Sequence, residues 1–360
     1  MYKTITIKIG SNVLTRDDGM LDEVHIAAIV DQLATLRRKG VQVVLISSGA
    51  VAAGRQYVSC RRHSDPLSCR QLWASVGQVK LMNIYSYLFS RHNILCSQVL
   101  VTKEDFSDRK HYLNTRNSLM TLLDHDIIPV INENDVVSVT ELMFTDNDEL
   151  ASLLTPMVNA DALIILSNVD GVYDGDPDSP GSKVIPVIDR STSNVSKHIS
   201  AARSSQGRGG MTTKFSTARK VAEAGIPVHL VNGKRQNIIL DVVKGKPGVV
   251  QTWFRPEDTA SHGKKWLTHS AFYASGEIHI NEGAFESLMS GKAASLLPIG
   301  VTEVKGTFMK GDIVRIINHD GEFVGLGKSQ YSHDTAFRKI GVHNARPMVH
   351  YDYLYIRNTY

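Results

Sequence analysis

The stretch Thr4-Ile5-Thr6-Ile7-Lys8-Ile9-Gly10-Ser11 opens the chain with a strand pattern that ends in glycine. Its residues alternate with period two up to Ile9, and β-branched side chains suit a strand. Gly10 stops the pattern. The stretch therefore predicts a first β-strand with a lysine near its C-terminal end.

Helix and strand patterns alternate from there to about residue 250. An apolar stripe at helical spacing ends at Gly40 and comprises Ile26, Ile29, Val30, Leu33 and Leu36. Continuous apolar runs, typical of strands buried on both faces, follow at Val41–Ile46, Ile94–Val101, Ile127–Ile131, Ala162–Leu166 and Ile226–Val231. Helical stretches lie between most of these runs. This alternation predicts an α/β fold with a mainly parallel central sheet covered by helices on both sides.

The rhythm changes after Val250. A polar, breaker-rich stretch from Arg255 to Lys265 predicts a linker. Short strands separated by glycines are then predicted at Glu277–Ile280, Asp312–Ile317, Glu322–Leu326 and Tyr351–Ile356, with helical pieces near 282–290 and 332–340. We therefore expect a first domain at 1–254, a linker at 255–272 and a small β-rich domain at 273–360.

Composition and charge narrow the class of protein. The 360 residues are 42% hydrophobic and 21% charged, as in ordinary globular proteins, and a chain of this length suggests about two domains. No apolar run approaches the roughly 20 residues that a membrane span needs. The N-terminus shows no signal-peptide pattern, and a cytoplasmic protein is expected. Residues 256–360 hold 11 basic and 11 acidic residues, so the net charge of +4 belongs to the first part. This neutrality argues against strong nucleic-acid binding by the C-terminal third.

The three cysteines, Cys60, Cys69 and Cys96, are too few to indicate a disulfide framework and suit a reducing cytoplasm. Cys60, His63 and Cys69 form a small group that resembles part of a zinc site. It lacks a CxxC pair and a fourth obvious ligand, so a surface loop is the favoured interpretation.

Lys8 near the end of the first predicted strand is one candidate for binding a ligand, and two further motifs lie at the boundaries of predicted strands and helices. Ser47-Ser48-Gly49-Ala50 follows a buried strand and would let a backbone approach an anion at a helix start; the alternative is a tight strand-to-helix turn, which is common. Gly207-Arg208-Gly209-Gly210-Met211-Thr212-Thr213-Lys214 is a glycine-rich loop that opens a helix. A lysine in the first turn opposes the helix dipole, and a bound polyphosphate would offset that cost. The alternative interpretation of this motif is a flexible loop without a ligand.

The alternative interpretation of Lys8 is an ordinary exposed lysine at a strand end, rather than a residue that binds a ligand.

A group of carboxylates and amides forms the fourth motif. Asn132-Glu133-Asn134-Asp135 follows a strand, and Thr145-Asp146-Asn147-Asp148 precedes a helix. Asp146 is equally explained as that helix's N-cap, which would leave Asn147 and Asp148 facing the sheet edge. Ser167-Asn168 ends another strand.

Several familiar motifs are missing. The chain has no Walker A loop, no glycine-rich dinucleotide fingerprint after the first strand and no protein-kinase signature. Asp174, Asp176 and Asp178 resemble the start of an EF-hand loop, but Ser179 replaces the turn glycine and Ile185 stands where glutamate is required. At least five strand ends nevertheless bring lysines, carboxylates, amides and glycines to one rim. Two lysines suit a nucleoside triphosphate, and the amides and carboxylates suit a small polar substrate and Mg²⁺.

Together, these motifs resemble the amino-acid kinase family, and the C-terminal module resembles a PUA domain. The resemblance runs from about Thr4 to Ala336 and also rests on Val51-Ala52-Ala53-Gly54-Arg55 and Pro129-Val130-Ile131. It implies a three-layer sandwich with a mainly parallel central sheet, followed by a small PUA-like barrel. Within the family, the resemblance is to the branch that phosphorylates the γ-carboxylate of L-glutamate with ATP, the first step of proline biosynthesis.

The resemblance also implies residue roles. Catalysis would depend on Lys8, Lys214 and Asp148, with both lysines on the transferring phosphoryl group and Asp148 orienting them. Glutamate would be bound by Ser48, Asp135 and Asn147. ATP would be bound by Lys8, Ser167, Asn168, Arg208, Gly209, Gly210, Met211, Thr212, Thr213 and Lys214. ATP and Mg²⁺ are the implied cofactors, with no protein ligand assigned to the metal.

The sequence departs from the family pattern at two places in the nucleotide site. Ser167-Asn168 stands where Thr-Asp is common, and Arg208 stands where Thr is common. Both changes make the site more positive and predict altered ATP affinity or nucleotide preference. The final stretch, Val342 to Tyr360, matches the family poorly.

The resemblance further implies feedback inhibition by proline through the loop near Tyr57 to Arg70, a homo-oligomer, and weak RNA contact through the PUA-like domain. Two alternatives remain open. Related kinases act on acetylglutamate, aspartate, carbamate or uridylate, and a degenerate kinase domain would leave an RNA-binding or regulatory protein.

Overall fold

The computed structural model describes residues 2–61, 65–107, 109–137, 144, 146–177, 179, 181–189, 192, 210–257, 274–290 and 294–356. The chain divides into two compact units. The first covers Met1–Phe106 and Lys110–Asp258, and the second covers Thr259–Tyr360 together with Ser107–Arg109. Most of the predicted linker at 255–272 lies outside the described residues, so its bounds stay a prediction.

The first unit alternates strands with helices. Its strands are β1 (Thr4–Ile9), β2 (Gln42–Ser47), β3 (Cys96–Val101), β4 (Ile128–Glu133), β5 (Ala162–Ser167), β6 (Val187–Ile188), β7 (Val228–Asn232) and β8 (Thr252–Phe254). Its helices are α1 (Ser11–Leu14), α2 (Glu23–Arg38), α3 (Ala50–Arg55), α4 (Pro66–Ser90), α5 (Glu104–Ser107), α6 (Arg109–Asp124), α7 (Asn147–Met157), α8 (Met211–Glu223) and α9 (Ile238–Val243).

The strands form one sheet in the order β3-β4-β2-β1-β5-β7-β8-β6. Every pairing is parallel except that of β7 with β8. The prediction of a mainly parallel sheet is therefore confirmed. Since the carboxyl ends of parallel strands meet at one edge, residues that follow β1, β2, β4, β5 and β7 come together there.

The two faces of β1 have different partners. Ile5, Ile7 and Ile9 are buried in a core cluster that also contains apolar residues of α2, α4 and α9. Successive side chains of a strand point to opposite faces, so Lys8 belongs to the other face. Helix α7 contacts β1, β2, β4 and β5, and its second residue, Asp148, contacts Lys8.

Helices α3 and α4 approach so closely that glycine is required at the contact. A Cβ atom on Gly77 would lie 1.7 Å from the carbonyl oxygen of Ala50, and one on Gly54 would lie 1.9 Å from that of Trp73. Neither backbone can yield to such an overlap without moving a helix. The two glycines therefore fix the position of α4 beside the carboxyl end of β2.

The second unit is mostly antiparallel. Its elements are β9 (Gly276–Ile280), α10 (Glu282–Met289), β10 (Val301–Gly306), β11 (Ile313–Ile317), β12 (Phe323–Ser329), α11 (His333–Arg338) and β13 (Val349–Ile356), with a short 3₁₀ turn at Pro298–Gly300. The sheet order is β10-β9-β11-β12-β13, and only β9 and β11 pair in parallel. Its core includes Ile278, Val314, Ile316 and Leu354.

The four strands and two helical pieces predicted in this unit are confirmed, and β13 lies within the final stretch, Val342 to Tyr360. Strand β10 was missed. A bulge between Val301 and Glu303 interrupts its pairing with β9, so its buried residues lie three apart rather than two. Period-two reasoning does not detect such a strand.

Across the described part of the chain, no helix combines the length and the apolar character needed to cross a membrane.

We expect Gly77→Ala to lower the free energy of unfolding of the first unit by about 1–3 kcal/mol or more, because the added methyl group would overlap the backbone of Ala50. Gly283→Ala is the matched control, since its Cβ would meet nothing closer than 3.9 Å. That helical position should gain roughly 0.5–1 kcal/mol. Urea unfolding measures both, and equal stability of Gly77→Ala and the parent would contradict the close contact.

Candidate functional site

Lys8 and Lys214 both contact the carboxylate of Asp148. The Nζ atom of Lys8 lies 2.6 Å from Oδ1, and the Nζ atom of Lys214 donates to Oδ2 at 3.1 Å. Asp148 is fully buried, and the two lysine side chains are only 4% and 13% exposed. Two lysines that lie far apart in the sequence thus share one carboxylate.

Local structure explains how Asp148 reaches this position. Asp146 is the N-cap of α7, and its Oδ1 atom accepts hydrogen bonds from the backbone N–H groups of Asp148 and Glu149. The N-cap alternative for Asp146 is therefore correct, and Asn147 and Asp148 in the first turn face the sheet edge. Asp148 benefits from the positive end of the α7 dipole as well as from the two lysines.

Burial would by itself raise the pKa of Asp148, but the charges of Lys8 and Lys214 outweigh it, and the pKa lies below the usual range. The pKa of Asp146 moves the other way. Burial raises it, and the neighbouring Asp148 charge adds to the rise. The two carboxyl groups of this turn therefore differ in proton affinity.

A cavity of about 710 Å³ lies over the carboxyl edge of the sheet. It is lined from the ends of β1, β2, β5 and β7 and from the first turns of α7 and α8. The lining residues include Lys8, Gly10, Ser48, Asp146, Asn147, Asp148, Ser167, Asn168, Lys214 and Lys234. Seven of the residues predicted from the sequence are thus brought to one cavity, as parallel topology requires.

A chain of hydrogen-bonded amides borders the cavity. Asn147 Nδ2 donates to Ser48 Oγ at 3.0 Å and to Asn132 Oδ1 at 3.1 Å. Asn132 Nδ2 donates in turn to Gln78 Oε1 at 3.1 Å. Ser48 follows β2, where Gly49 adopts a left-handed backbone with φ of 105°. The chain links α7, β2, β4 and α4 at one place.

Asp135 has a different environment from the other predicted glutamate-binding residues. It is buried and is not among the cavity-lining residues. Arg70 donates from Nε and Nη2 to its Oδ1 atom at 3.0 and 2.7 Å, and the same guanidinium lies 3.7 Å from Glu133. Arg70 therefore holds Asp135 against the end of β4.

The predicted nucleotide-binding residues are partly described. Ser167 and Asn168 end β5 at the cavity. Gly210 is the N-cap of α8, Met211 and Thr212 begin the helix, and Thr213 donates its hydroxyl to the Gly210 carbonyl oxygen. Arg208 and Gly209 lie outside the described residues. Of the loop residues that the structure describes, Gly210 to Lys214, only Lys214 lines the cavity.

Sequence reasoning missed Gln78 and Lys234, and it named Arg70 only as the end of the loop expected to bind proline, not as a partner of Asp135. Lys234 follows β7, so the strand-end rule that identified Lys8 would have found it. Arg70 and Gln78 lie on α4, far along the chain from their partners Asp135 and Asn132. No spacing rule connects them.

The expectation of no disulfide was wrong, because Cys60 and Cys69 are bonded to each other. Their Cα atoms lie 5.6 Å apart, with Cys60 in the segment between α3 and α4 and Cys69 in the first turn of α4. Because both sulfur atoms are in the disulfide, neither is available as a thiolate ligand for the zinc site considered above. His63, the third residue of that group, lies outside the described residues.

Comparisons with known proteins agree with this architecture. The amino acid kinase family model matches residues 3–232, more than half of the chain, and a PUA domain model matches residues 276–349. The chain therefore belongs to the amino acid kinase family and carries a PUA domain. It is 51% identical over 356 residues to a glutamate 5-kinase of Bacteroides thetaiotaomicron, with 99% of each chain covered. A glutamate 5-kinase of Chlorobaculum tepidum is 43% identical, with 99% of this chain and 98% of the relative covered. Within the larger family, the chain belongs to the glutamate 5-kinases.

Among solved structures, a carbamate kinase from Giardia lamblia bound to AMP-PNP aligns with a TM-score of 0.50 and 19% identity. The alignment covers 71% of this chain and 99% of the carbamate kinase. At that identity it shows the fold alone.

We expect Asp148→Asn to lower the free energy of unfolding at pH 7 by about 3–5 kcal/mol, because it leaves two buried ammonium groups without their counter-charge. The lowered pKa of Asp148 sets the pH dependence. Its stabilisation is present above the unfolded pKa of about 4 and is lost as the pH falls through the lower folded pKa. The stability gap should therefore shrink in acid.

Unfolding titrations at pH 7, 5 and about 2.5 measure that gap, which should be equal at pH 7 and 5 and smaller at the lowest pH. Asp126→Asn is the control, because the Asp126 side chain is 81% exposed where it pairs with Arg37, and losing its charge should cost less than about 1 kcal/mol. A gap that stays constant over this pH range would contradict an ionised Asp148.

Proposed function

We propose that the chain transfers the γ-phosphoryl group of ATP to the γ-carboxylate of L-glutamate, giving L-glutamyl 5-phosphate and ADP, the first step of proline biosynthesis. Membership of the glutamate 5-kinases supports this reaction. The observation that carries it in the structure is the pairing of Lys8 and Lys214 on Asp148 at the floor of one cavity. Related kinases that act on acetylglutamate, aspartate, carbamate or uridylate are not favoured by these relatives.

The reaction needs charge compensation more than proton transfer. A γ-carboxylate is already ionised at pH 7, so its oxygen attacks the γ-phosphorus without a general base. The bond from that phosphorus to the bridging oxygen breaks, and ADP leaves with the electron pair. Phosphoryl transfer depends mainly on in-line positioning and on stabilising charge on the phosphoryl oxygens. In our proposal Lys8 and Lys214 supply that charge, and Asp148 holds both ammonium groups in register.

The amide chain suits the acceptor. Ser48 and Asn147 lie at the cavity beside Asp148, where the γ-carboxylate would arrive. Asp135 lies two residues beyond the end of β4, where Arg70 orients its buried carboxylate, and it would bind the α-ammonium group. These roles follow the predicted substrate residues Ser48, Asp135 and Asn147.

The other side of the cavity suits the nucleotide. Ser167, Asn168 and the start of α8 would contact ATP. The N-cap of α8, Gly210, has no side chain to accept from the first-turn N–H groups, and such N–H groups attract phosphate. Arg208 to Thr213 complete the proposed phosphate-side loop. Asp146 Oδ2 is buried and has no hydrogen-bond partner within the described ranges. A carboxylate oxygen in that position fits Mg²⁺, which would offset phosphate charge when bound.

Several partners belong to the same proposal. Proline would bind over the acceptor site and inhibit, through the loop near Tyr57 to Arg70. We also propose a homo-oligomer, a cytoplasmic location where ATP and glutamate are available, and weak RNA contact through the PUA domain. Because residues 256–360 carry no net positive charge, we expect that RNA contact to be weak.

We expect ADP release to require L-glutamate together with ATP and Mg²⁺, and to fall when L-proline is added. A coupled ADP assay measures the rate, and trapping with hydroxylamine identifies the acyl phosphate product. Aspartate, carbamate, uridylate and acetylglutamate serve as matched acceptors. Faster turnover with any of them than with L-glutamate would contradict the proposed substrate.

We expect Lys8→Ala and Lys214→Ala each to lower kcat by about 100-fold or more, because each removes one preorganised charge from the transition state. Lys246→Ala is the control, since Lys246 is 60% exposed and pairs with Asp241 away from the cavity. Steady-state kinetics, with circular dichroism to confirm folding, measure the effect. Normal turnover in both cavity variants would refute the assignment.

A further inference from the structure

Gln78 on α4 carries a buried donor that nothing in the described part of the chain satisfies. The residue is 8% exposed, and its Nε2 atom has no hydrogen-bond partner among the described residues. Leaving a buried N–H₂ group unpaired is costly, so such groups in folded proteins call for an explanation. A substrate that arrives only during the reaction is one.

The orientation of the Gln78 amide follows from its neighbour. Asn132 donates from Nδ2 to Gln78 Oε1, while Asn132 Oδ1 accepts from Asn147 and from the Glu133 backbone N–H. Exchanging the oxygen and nitrogen of Gln78 would set two N–H₂ groups against each other. The unpaired end of Gln78 is therefore a donor, and the amide chain couples it to Asn147 and Ser48 at the cavity.

Helix α4 turns one face toward the end of β4. Arg70, Ala74 and Gln78 are spaced four residues apart and so lie along one stripe. Arg70 contacts Asp135, Ala74 is a small buried residue, and Gln78 contacts Asn132. The stripe thus has a guanidinium at one end, an amide at the other and little bulk between them. The close contact of Gly77 with the backbone of α3 fixes the position of α4, and with it the position of this stripe.

The charges of the acceptor leave one group without a partner. In the proposed function, on which this inference rests, Lys8 and Lys214 face the γ-carboxylate and Asp135 faces the α-ammonium group. The α-carboxylate still requires donors. The Arg70 guanidinium is engaged by Asp135 and Glu133, whereas the Gln78 N–H₂ group is a donor of the required kind on the same stripe.

We propose that Gln78 Nε2 donates a hydrogen bond to the α-carboxylate of the acceptor amino acid, which makes Gln78 a substrate-binding residue of the kinase. The bond assists binding rather than phosphoryl transfer, because it lies at the end of the acceptor away from the reacting oxygen. Its loss should therefore raise KM for L-glutamate and leave kcat and KM for ATP nearly unchanged.

Two substitutions separate this role from a structural one. Gln78→Glu keeps an oxygen to accept from Asn132 but replaces the donor with a negative charge. Gln78→Met removes both polar ends without adding charge. We expect KM for L-glutamate to rise about 10- to 100-fold in both variants, the range for losing a hydrogen bond to a charged group, with kcat within about threefold of the parent.

Tyr85→Phe is the matched control. Tyr85 lies on the same helix, is fully buried, and loses only its hydrogen bond with Ser47 Oγ. It should alter thermal stability without a selective change in KM for L-glutamate. Unchanged KM in both Gln78 variants would overturn the proposal, as would an equal loss of glutamate and ATP affinity, which indicates a structural role.

Substrate analogues identify the group that Gln78 contacts. 4-Aminobutyrate lacks the α-carboxylate, and glutarate lacks the ammonium group but keeps both carboxylates. As competitive inhibitors, they should respond differently to Gln78→Met, with Ki for glutarate rising about tenfold and Ki for 4-aminobutyrate staying within about twofold. A parallel rise in both Ki values would overturn the assignment to the α-carboxylate. Loss of glutamate-dependent turnover in the parent enzyme would instead contradict the proposed function.

Discussion

The arrangement of the first unit depends on the buried carboxylate of Asp148 between two ammonium groups. Burying two ammonium groups is far less costly when a carboxylate between them pairs with both than when each is isolated. Two positive charges against one negative charge leave an excess of one. That excess is what a cavity meant for a triphosphate and a carboxylate requires, since both ligands are anionic.

The sheet order explains why this pairing is possible. Strand β1 lies in the interior of the sheet between β2 and β5, so Lys8 emerges between the strand ends that carry Ser48 and Ser167. The N-terminus of α7 covers the same edge, and α8 packs against α7. The helix that carries Lys214 is thereby brought to Asp148. Lys8 and Ser167 lie at the ends of strands, Asn147, Asp148 and Lys214 lie in the first turns of helices, and Ser48 and Asn168 directly follow strands.

Much of this was predictable from the sequence because periodicity and strand-end chemistry are local. The strand patterns of the first unit, the N-cap at Asp146 and the convergence of Lys8, Ser48, Asn147 and Ser167 at one edge needed only parallel topology. The strand β10 was not predictable by alternation, because a bulge changes the spacing of its buried residues. The pairing of Arg70 with Asp135 and the Cys60–Cys69 bond depend on how α4 packs, which no short stretch of sequence encodes. The chemical roles of the site residues stay predictions, and Arg208 and Gly209 lie outside the described residues.

The meeting of Gly54 and Gly77 has a consequence for how related enzymes diverge. Because any larger residue at either position would push two helices apart, α4 cannot slide or tilt to accommodate a differently shaped acceptor. New acceptor preferences must then arise by exchanging side chains on a stationary helix, one position at a time. The backbone of α4 would then stay the same among related enzymes, while the side chains that it presents to the acceptor differ.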